Sequence, residues 1–188
     1  MKNRLSAAFW AGNMGLVASG NAFTEAKQPL LRATLIGFQE VPTVSPVATG
    51  QFRATIISDA AIAYEHTSSR LEGIVTQSHI HFGQKSVTGG ISRWLCQTAT
   101  DLDRTKLAPT CPQEAKGATT EKGMLTAANL LGPSGQDIAG GATGGTPEEF
   151  AEIVKAIRAG TPYANVGSSK IGSGEIRGQI EATRGERD

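Results

Sequence analysis

Short stretches in which apolar and polar side chains alternate follow one another from residue 30 onwards. One of them, Gln51–Ile57, places Phe52, Ala54 and Ile56 on one side, as a strand with one buried face does. Residues that favour turns separate these stretches. The predicted strands are Leu31–Ile36, Gln51–Ile57, Ala60–His66, Val75–Phe82, Gly90–Cys96, Gly117–Leu125, Tyr163–Val166 and Glu175–Ala182. Eight short strands without regularly interspersed helices predict an all-β fold, an antiparallel sandwich or barrel.

One segment has helical rather than strand periodicity. Thr146 can cap a helix with its hydroxyl, Pro147 suits the first helical position, and Glu149 completes a capping box. Apolar residues then recur at helical spacing until Gly160, at Phe150, Ile153, Val154 and Ile157. The pattern predicts a short helix over Pro147–Ala159 that covers an open end or edge of the sheet with its apolar stripe.

Composition narrows the classes of partner. The chain of 188 residues carries 18 Lys and Arg against 17 Asp and Glu, a net charge of +1, and it contains 23 glycines. A near-neutral chain without a basic run is not expected to bind nucleic acid. No stretch reaches the roughly 18 apolar residues of a membrane span, so no transmembrane segment is expected.

The amino-terminal segment resembles an export signal. Lys2 and Arg4 precede a mostly small or apolar stretch, Leu5–Ala18, and small residues suited to cleavage follow it. We expect a signal peptide over residues 1–22, a linker over 23–29, one domain over 30–182 and a short tail over 183–188. A non-cleaved extension at residues 1–22 is the alternative. Export would place the mature protein outside the cell or in a periplasm.

The two cysteines favour the same compartment. Cys96 and Cys111 enclose a polar, proline-containing stretch, which is typical of a local disulfide formed under oxidising conditions. A metal site on the two thiols lacks the usual close cysteine spacing, and a pair of buried reduced thiols is the remaining alternative.

Two of the three histidines, His79 and His81, lie two positions apart on the predicted strand Val75–Phe82. Strand alternation puts them on one face with Val75 and Gln77, and it directs Ile80 and Phe82 towards the core. The imidazoles are then expected on the outer face or in a cleft. There they would be ordinary polar strand residues or ligands for a transition metal such as Cu or Zn.

A metal site on two histidines needs further ligands. His66, Glu40, Asn165 and Glu175 are the candidates, although the register of the strands is not readable from the sequence. Glu175 and Arg177 lie on one face of the last predicted strand, where a surface ion pair is the simpler interpretation. No serine stands in a Gly-x-Ser-x-Gly turn, so nothing in the sequence singles out a catalytic nucleophile.

Several short motifs, taken in order, resemble a known family. They are Gly37–Pro42, Ala48–Gly50, Leu71–Gly73, Ser78–Gly83, Leu95-Cys96, Cys111-Pro112, Ile157–Gly160 with Tyr163–Val166, and Gly174–Ile180. The chain is similar in these motifs to the CHRD domain, the module named from chordin, over residues 30–182. The motif residues with polar side chains include Glu40, Asn165, Glu175 and Arg177.

The resemblance implies an extracellular antiparallel Greek-key β-sandwich, similar in outline to superoxide dismutase and without an established enzymatic activity. It therefore implies a binding or structural module that needs no cofactor and whose partner is an extracellular protein or surface component. The His-Ile-His motif also resembles the copper-ligand strand of Cu/Zn superoxide dismutases. Those centres use six histidines and an aspartate, whereas this chain has three histidines.

One position departs from the family pattern. Many CHRD domains carry a histidine directly after the Asn-Val pair, and here that position is Gly167. A family metal site built on that histidine would lack a ligand in this chain. The sequence therefore predicts a secreted, non-enzymatic module, with Cu or Zn bound by His79 and His81 as the alternative.

Overall fold

The computed structural model describes residues 30–98, 103, 105–114 and 118–183. The expected signal peptide and linker, and residues 184–188 of the expected tail, lie outside the described residues. The strands are β1 Leu30–Ile36, β2 Thr49–Ser58, β3 Ala61–Ser69, β4 Val75–Phe82, β5 Gly90–Gln97, β6 Thr119–Leu125, β7 Tyr163–Ser168, β8 Ile176–Gln179 and β9 Glu181–Thr183, and the helix is α1 Pro147–Arg158.

The described strands form one antiparallel sheet in the order β5-β4-β7-β8-β1-β2-β3-β6, with β9 paired to β1. The edge strands β5 and β6 approach each other across the core, where Sγ of Cys96 lies 2.9 Å from Oε1 of Glu121. The sheet is therefore curled until it is nearly closed. This confirms the all-β, antiparallel prediction, although the two faces of the predicted sandwich belong to one continuous sheet.

Alternation of side chains explains most of the core. β2 buries Phe52, Ala54 and Ile56, as predicted, and β3 buries Ile62 and Tyr64. On β1 the buried positions are Leu31, Ala33 and Leu35. These side chains join one apolar cluster inside the curled sheet.

The helix begins as predicted. The Thr146 hydroxyl accepts from the backbone N–H of Glu149, and the Glu149 carboxylate accepts from the backbone N–H of Thr146, which completes the capping box. α1 ends at Arg158, with Ala159 as its cap, one residue before the predicted end. Its apolar stripe packs into the core cluster through Phe150, Ile153, Val154 and Ile157.

Two predictions about the strands were wrong. The last predicted strand, Glu175–Ala182, is interrupted at Ile180, whose backbone N–H donates to the Pro162 carbonyl instead of to a neighbouring strand. Val75 was expected to face away from the core with the histidines, but it is fully buried in it. The register of β4 against β7 shifts between Val75 and Gln77. Because of this irregularity, Val75 faces the core and not the side of the strand that carries His79 and His81.

Candidate functional site

β4 carries polar side chains on both of its faces. Ser78 and Ile80 point into the core, whereas His79 and His81 lie on the opposite face against β5 and β7. The predicted assignment of these faces is correct from Ser78 to His81. Unlike ordinary outer-face residues, both histidines are buried, with exposed fractions of 4 % and 9 %.

His79 is enclosed by an aromatic ring and an amide. Its ring packs edge-on against Trp94, with 4.1 Å between the ring centroids. Its Nδ1 atom lies 3.1 Å from Oδ1 of Asn165, and no described group hydrogen-bonds its Nε2 atom. Burial, reinforced by the neighbouring His81, lowers the pKa of His79 to about 3, so the ring is neutral at ordinary pH.

His81 contacts oxygen atoms through both of its ring nitrogens. Nδ1 lies 2.9 Å from the Gly89 carbonyl oxygen, and Nε2 lies 3.2 Å from Oδ1 of Asn165. The ring stacks on Tyr163 at 4.7 Å between centroids. Burial is the main cause that lowers the pKa of His81, and the positive charge of Arg177 acts in the same direction.

Arg177 fixes the loop above this cluster. Its guanidinium carbon lies 3.4 Å from the centroid of the Tyr163 ring, in a cation–π contact. Its Nη2 atom donates to the carbonyl oxygens of Gln84 and Val87, at 3.1 and 3.0 Å. The side chain is buried, so the expected surface ion pair with Glu175 is not what the structure shows.

Glu40 borders the cluster on its Asn165 side. Its Oε1 atom is buried and accepts no hydrogen bond from any described group. A Cβ atom at Gly174 would lie 2.5 Å from this oxygen and 2.8 Å from Nδ2 of Asn165, so a glycine is required where the two side chains meet. Burial raises the pKa of Glu40 to about 7, against the lowering effect of Arg177.

An open cleft leads to Glu40 and Arg177. It has a volume of about 310 Å³ and lies between the loop that begins with the short helical turn Gly37–Gln39 and the loop around Lys85. Phe38 and Val41 stand at its rim with exposed fractions of 66 % and 41 %. The cleft thus combines exposed apolar groups with two buried ionisable side chains.

The structure places the other candidate metal ligands elsewhere. The Glu175 carboxylate accepts from the backbone N–H of Glu72 at 2.8 Å and from the Ser168 hydroxyl. His66 lies inside the curled sheet, where its Nδ1 atom is 3.3 Å from Oε2 of Glu121. Neither residue joins His79 and His81, whereas Asn165 contacts both.

A second polar cluster lies in the core beside the disulfide. Cys96 and Cys111 are bonded, as predicted, so their sulfurs are not available as thiolate ligands although Glu121 lies close to both. The Ser78 hydroxyl donates to Oε2 of Glu121 at 2.6 Å, and His66 contacts the same oxygen. This cluster joins β3, β4, β5 and β6 at the point where the sheet closes.

Sequence reasoning did not identify Glu121, Ser78 or Trp94. Glu121 stands in an alternating stretch of β6 among exposed positions, where an acidic residue is unremarkable. Strand alternation could have indicated that Glu121 is buried, because residue 121 lies on the same face of β6 as Thr119 and Leu125, which are both buried.

Gly167 lies within β7, opposite Gln77 of β4, and one residue beyond the predicted strand Tyr163–Val166. A Cβ atom at this position would lie 2.6 Å from the Gly172 carbonyl oxygen and 3.1 Å from the Gln77 side chain. The backbone of the following turn and Gln77 therefore fill the space of a side chain here.

Comparison with known proteins identifies the family of this chain. No curated protein and no solved structure matches the chain at a significant level. The family description "CHRD domain" matches residues 31–180, a range that contains both polar clusters and the sheet from Leu31 of β1 to the end of β8. The chain therefore belongs to the CHRD domain family.

Proposed function

We propose that this protein is a secreted, non-enzymatic module that binds an extracellular protein or surface component through the cleft beside Glu40 and Arg177. CHRD domains are extracellular, and the Cys96–Cys111 disulfide is of the kind that forms in an oxidising compartment. Among the described residues, no helix has both the length and the apolar character needed to cross a bilayer.

The observation that carries the proposal is the composition of the cleft. Phe38 and Val41 expose large apolar side chains at its rim, and burying them against a partner would remove that apolar surface from water. Arg177 is already immobilised on Tyr163 and by two loop carbonyls. The loop that Arg177 holds is therefore already ordered, which lowers the conformational-entropy cost of binding a partner at the cleft.

The hydrogen-bond pattern of the core cluster supports a role without catalysis. Ser78, His66 and Glu121 are the residue types of a hydrolytic triad, but the serine donates to the carboxylate and not to the imidazole. All three side chains are sealed in the core, with exposed fractions of 3 % or less. A substrate has no access to this group.

Binding is tested with the full chain immobilised and exposed to intact cells and extracellular matrix of the source organism. Phe38→Asp should abolish saturable binding, because it introduces a charge at the centre of the apolar rim. Met124→Asp is the matched control, since Met124 is an exposed apolar residue of β6 outside the cleft. Binding that is equal for the two variants would contradict the proposed surface.

Two further outcomes would contradict the rest of the proposal. Edman sequencing of protein recovered from the culture medium should begin near residue 23, and retention of the full-length chain inside the cell would exclude secretion. Saturable turnover of any substrate by the purified protein, lost in a single-residue variant, would exclude a non-enzymatic role.

A further inference from the structure

We propose that His79, His81 and Asn165 form a binding site for a single divalent transition-metal ion of the Cu²⁺ or Zn²⁺ type. The site goes beyond the proposed binding role, because it lies beneath the loop around Lys85 and not in the open cleft. It uses Nδ1 of His79, Nε2 of His81 and Oδ1 of Asn165.

The distances from the Asn165 oxygen to the two imidazole nitrogens suit ligands of one ion. The amide oxygen of Asn165 lies 3.1 Å from Nδ1 of His79 and 3.2 Å from Nε2 of His81. For an ion about 2.0–2.2 Å from each atom, the angle at the ion between the oxygen and either nitrogen would be roughly a right angle. Zn²⁺ and Cu²⁺ accept such an angle. The rings already lie together, with 5.3 Å between their centroids in an edge-to-face arrangement.

The hydrogen-bonding partners of the two His81 ring nitrogens also favour a bound cation. Both of its nitrogens face oxygen atoms that can only accept, the Gly89 carbonyl and the Asn165 amide oxygen. A neutral ring has one proton and can satisfy one of them. A metal ion between Nε2 of His81 and Oδ1 of Asn165 would satisfy both lone pairs.

Rotation of the Asn165 amide does not remove the conflict. Nδ2 of Asn165 donates to the Ser173 carbonyl oxygen at 3.3 Å. If the amide were turned over, its oxygen would face that carbonyl oxygen, and two acceptors would be in contact. The amide oxygen is therefore held between the two histidines by the turn that contains Ser173.

The donor set selects the class of ion. Two imidazoles and a neutral amide oxygen suit Zn²⁺ and Cu²⁺, whereas Ca²⁺ and Mg²⁺ prefer carboxylate-rich oxygen sites. Three protein ligands leave a position for water or for a group from another molecule. Three side chains that are each more than nine-tenths buried also give a site whose geometry is fixed before the ion arrives.

The test uses the folded, full-length protein and its third histidine as an internal control. ZnCl₂ is titrated into ¹⁵N-labelled protein, and the ring nitrogens of all three histidines are followed by long-range ¹H–¹⁵N correlation spectra. We expect Nδ1 of His79 and Nε2 of His81 to change shift until one equivalent is bound, while His66 in the core stays unchanged. No change at His79 and His81, or an equal change at His66, would overturn the proposal.

Substitution of Asn165 tests the third ligand without touching an imidazole. Asn165→Asp keeps the shape of the side chain and adds a negative charge at the ligand oxygen, so Zn²⁺ should bind about tenfold more tightly or better. Asn165→Leu removes the oxygen and should weaken binding by a similar factor. Calorimetry measures both constants, and circular dichroism verifies that each variant is folded. Identical affinities for the wild type and two folded variants would exclude Asn165 as a ligand.

Discussion

Ser78 and His79 are adjacent in the chain, yet their side chains belong to polar networks on opposite faces of β4. The Ser78 hydroxyl donates to Glu121 at 2.6 Å inside the sheet, whereas Nδ1 of His79 lies 3.1 Å from the Asn165 amide oxygen on the other face. One network closes the sheet beside the disulfide. The other lies below the loop held by Arg177. Because the strand separates them, each can be perturbed without direct contact with the other.

The core network makes Glu121 a major contributor to stability. Glu121→Ala should lower the free energy of unfolding by about 3–5 kcal/mol, because it leaves the buried His66 and Ser78 without their common partner. Urea unfolding followed by circular dichroism measures the change.

The same two strands supply a matched control for that substitution. His66 pairs with Glu121 in the β3–β6 ladder, and Glu65 pairs with Lys122 at the adjacent position on the exposed face. Glu65→Ala should cost about 0–1 kcal/mol, as exposed ion pairs do. A loss as large at Glu65 as at Glu121 would contradict the assignment of the two faces.

The apolar side of β4 gives a second stability prediction. Ile80 has an exposed fraction of 1 % and packs in the core cluster, so Ile80→Ala should cost about 2–5 kcal/mol. Ile80→Val should cost roughly 0.5–1.5 kcal/mol, because it removes a single methyl group. Chemical denaturation distinguishes the two, and equal small losses would mean that Ile80 is not a core residue.

The disulfide should stabilise the fold under oxidising conditions. Cys96 and Cys111 are 15 residues apart, and closing a loop of that length contributes about 3 kcal/mol in the chain-entropy description. Cys111→Ser should therefore lower the melting temperature in oxidising buffer and have little additional effect in a reductant that opens the bond. Equal losses in both buffers would show that the side chain acts through packing alone.

Glu40 should make stability depend on pH. Its pKa in the folded protein, about 7, is above the ordinary value of 4.5, so the folded state binds the proton more tightly than the unfolded chain does. The contribution is complete below about pH 4.5 and is lost as the pH rises to 7. The other charged groups that line the cleft are Arg177 and Lys85.

The corresponding measurement is the free energy of unfolding between pH 4 and pH 8. The Glu40 contribution should fall by up to about 3 kcal/mol over this interval. Glu40→Gln should remove that slope while it retains the shape of the side chain. Wild-type and variant curves that run parallel from pH 4 to pH 8 would contradict the raised pKa.

The alternating pattern was sufficient to predict β1, β2 and β3, because each of these strands buries one face in the common core. It located β4 to the residue and placed Ile80 inside. It did not reveal the register shift that brings Val75 into the core, since such a shift depends on the paired strand β7 and not on the local sequence. For the same reason it did not reveal that Ile180 interrupts the last strand by donating to Pro162.

The site was predictable in part. The spacing of His79 and His81 identified two of its members, and Asn165 was among the candidate ligands. The pairing of His79 with Asn165 joins positions 86 residues apart, so no local pattern favours Asn165 over Glu175 or His66 as a ligand. The burial of both imidazoles was also unexpected, because it results from Trp94, Tyr163 and the loop that Arg177 tethers.

The separation of the two networks is tested most directly by nuclear Overhauser contacts from the histidine ring protons of the metal-free protein. We predict contacts from His79 to the Trp94 indole, from His81 to the Tyr163 ring, and from His66 to the Phe52 ring. Contacts from His79 or His81 to Phe52 or His66 would place all three histidines on one side of β4 and would contradict this account.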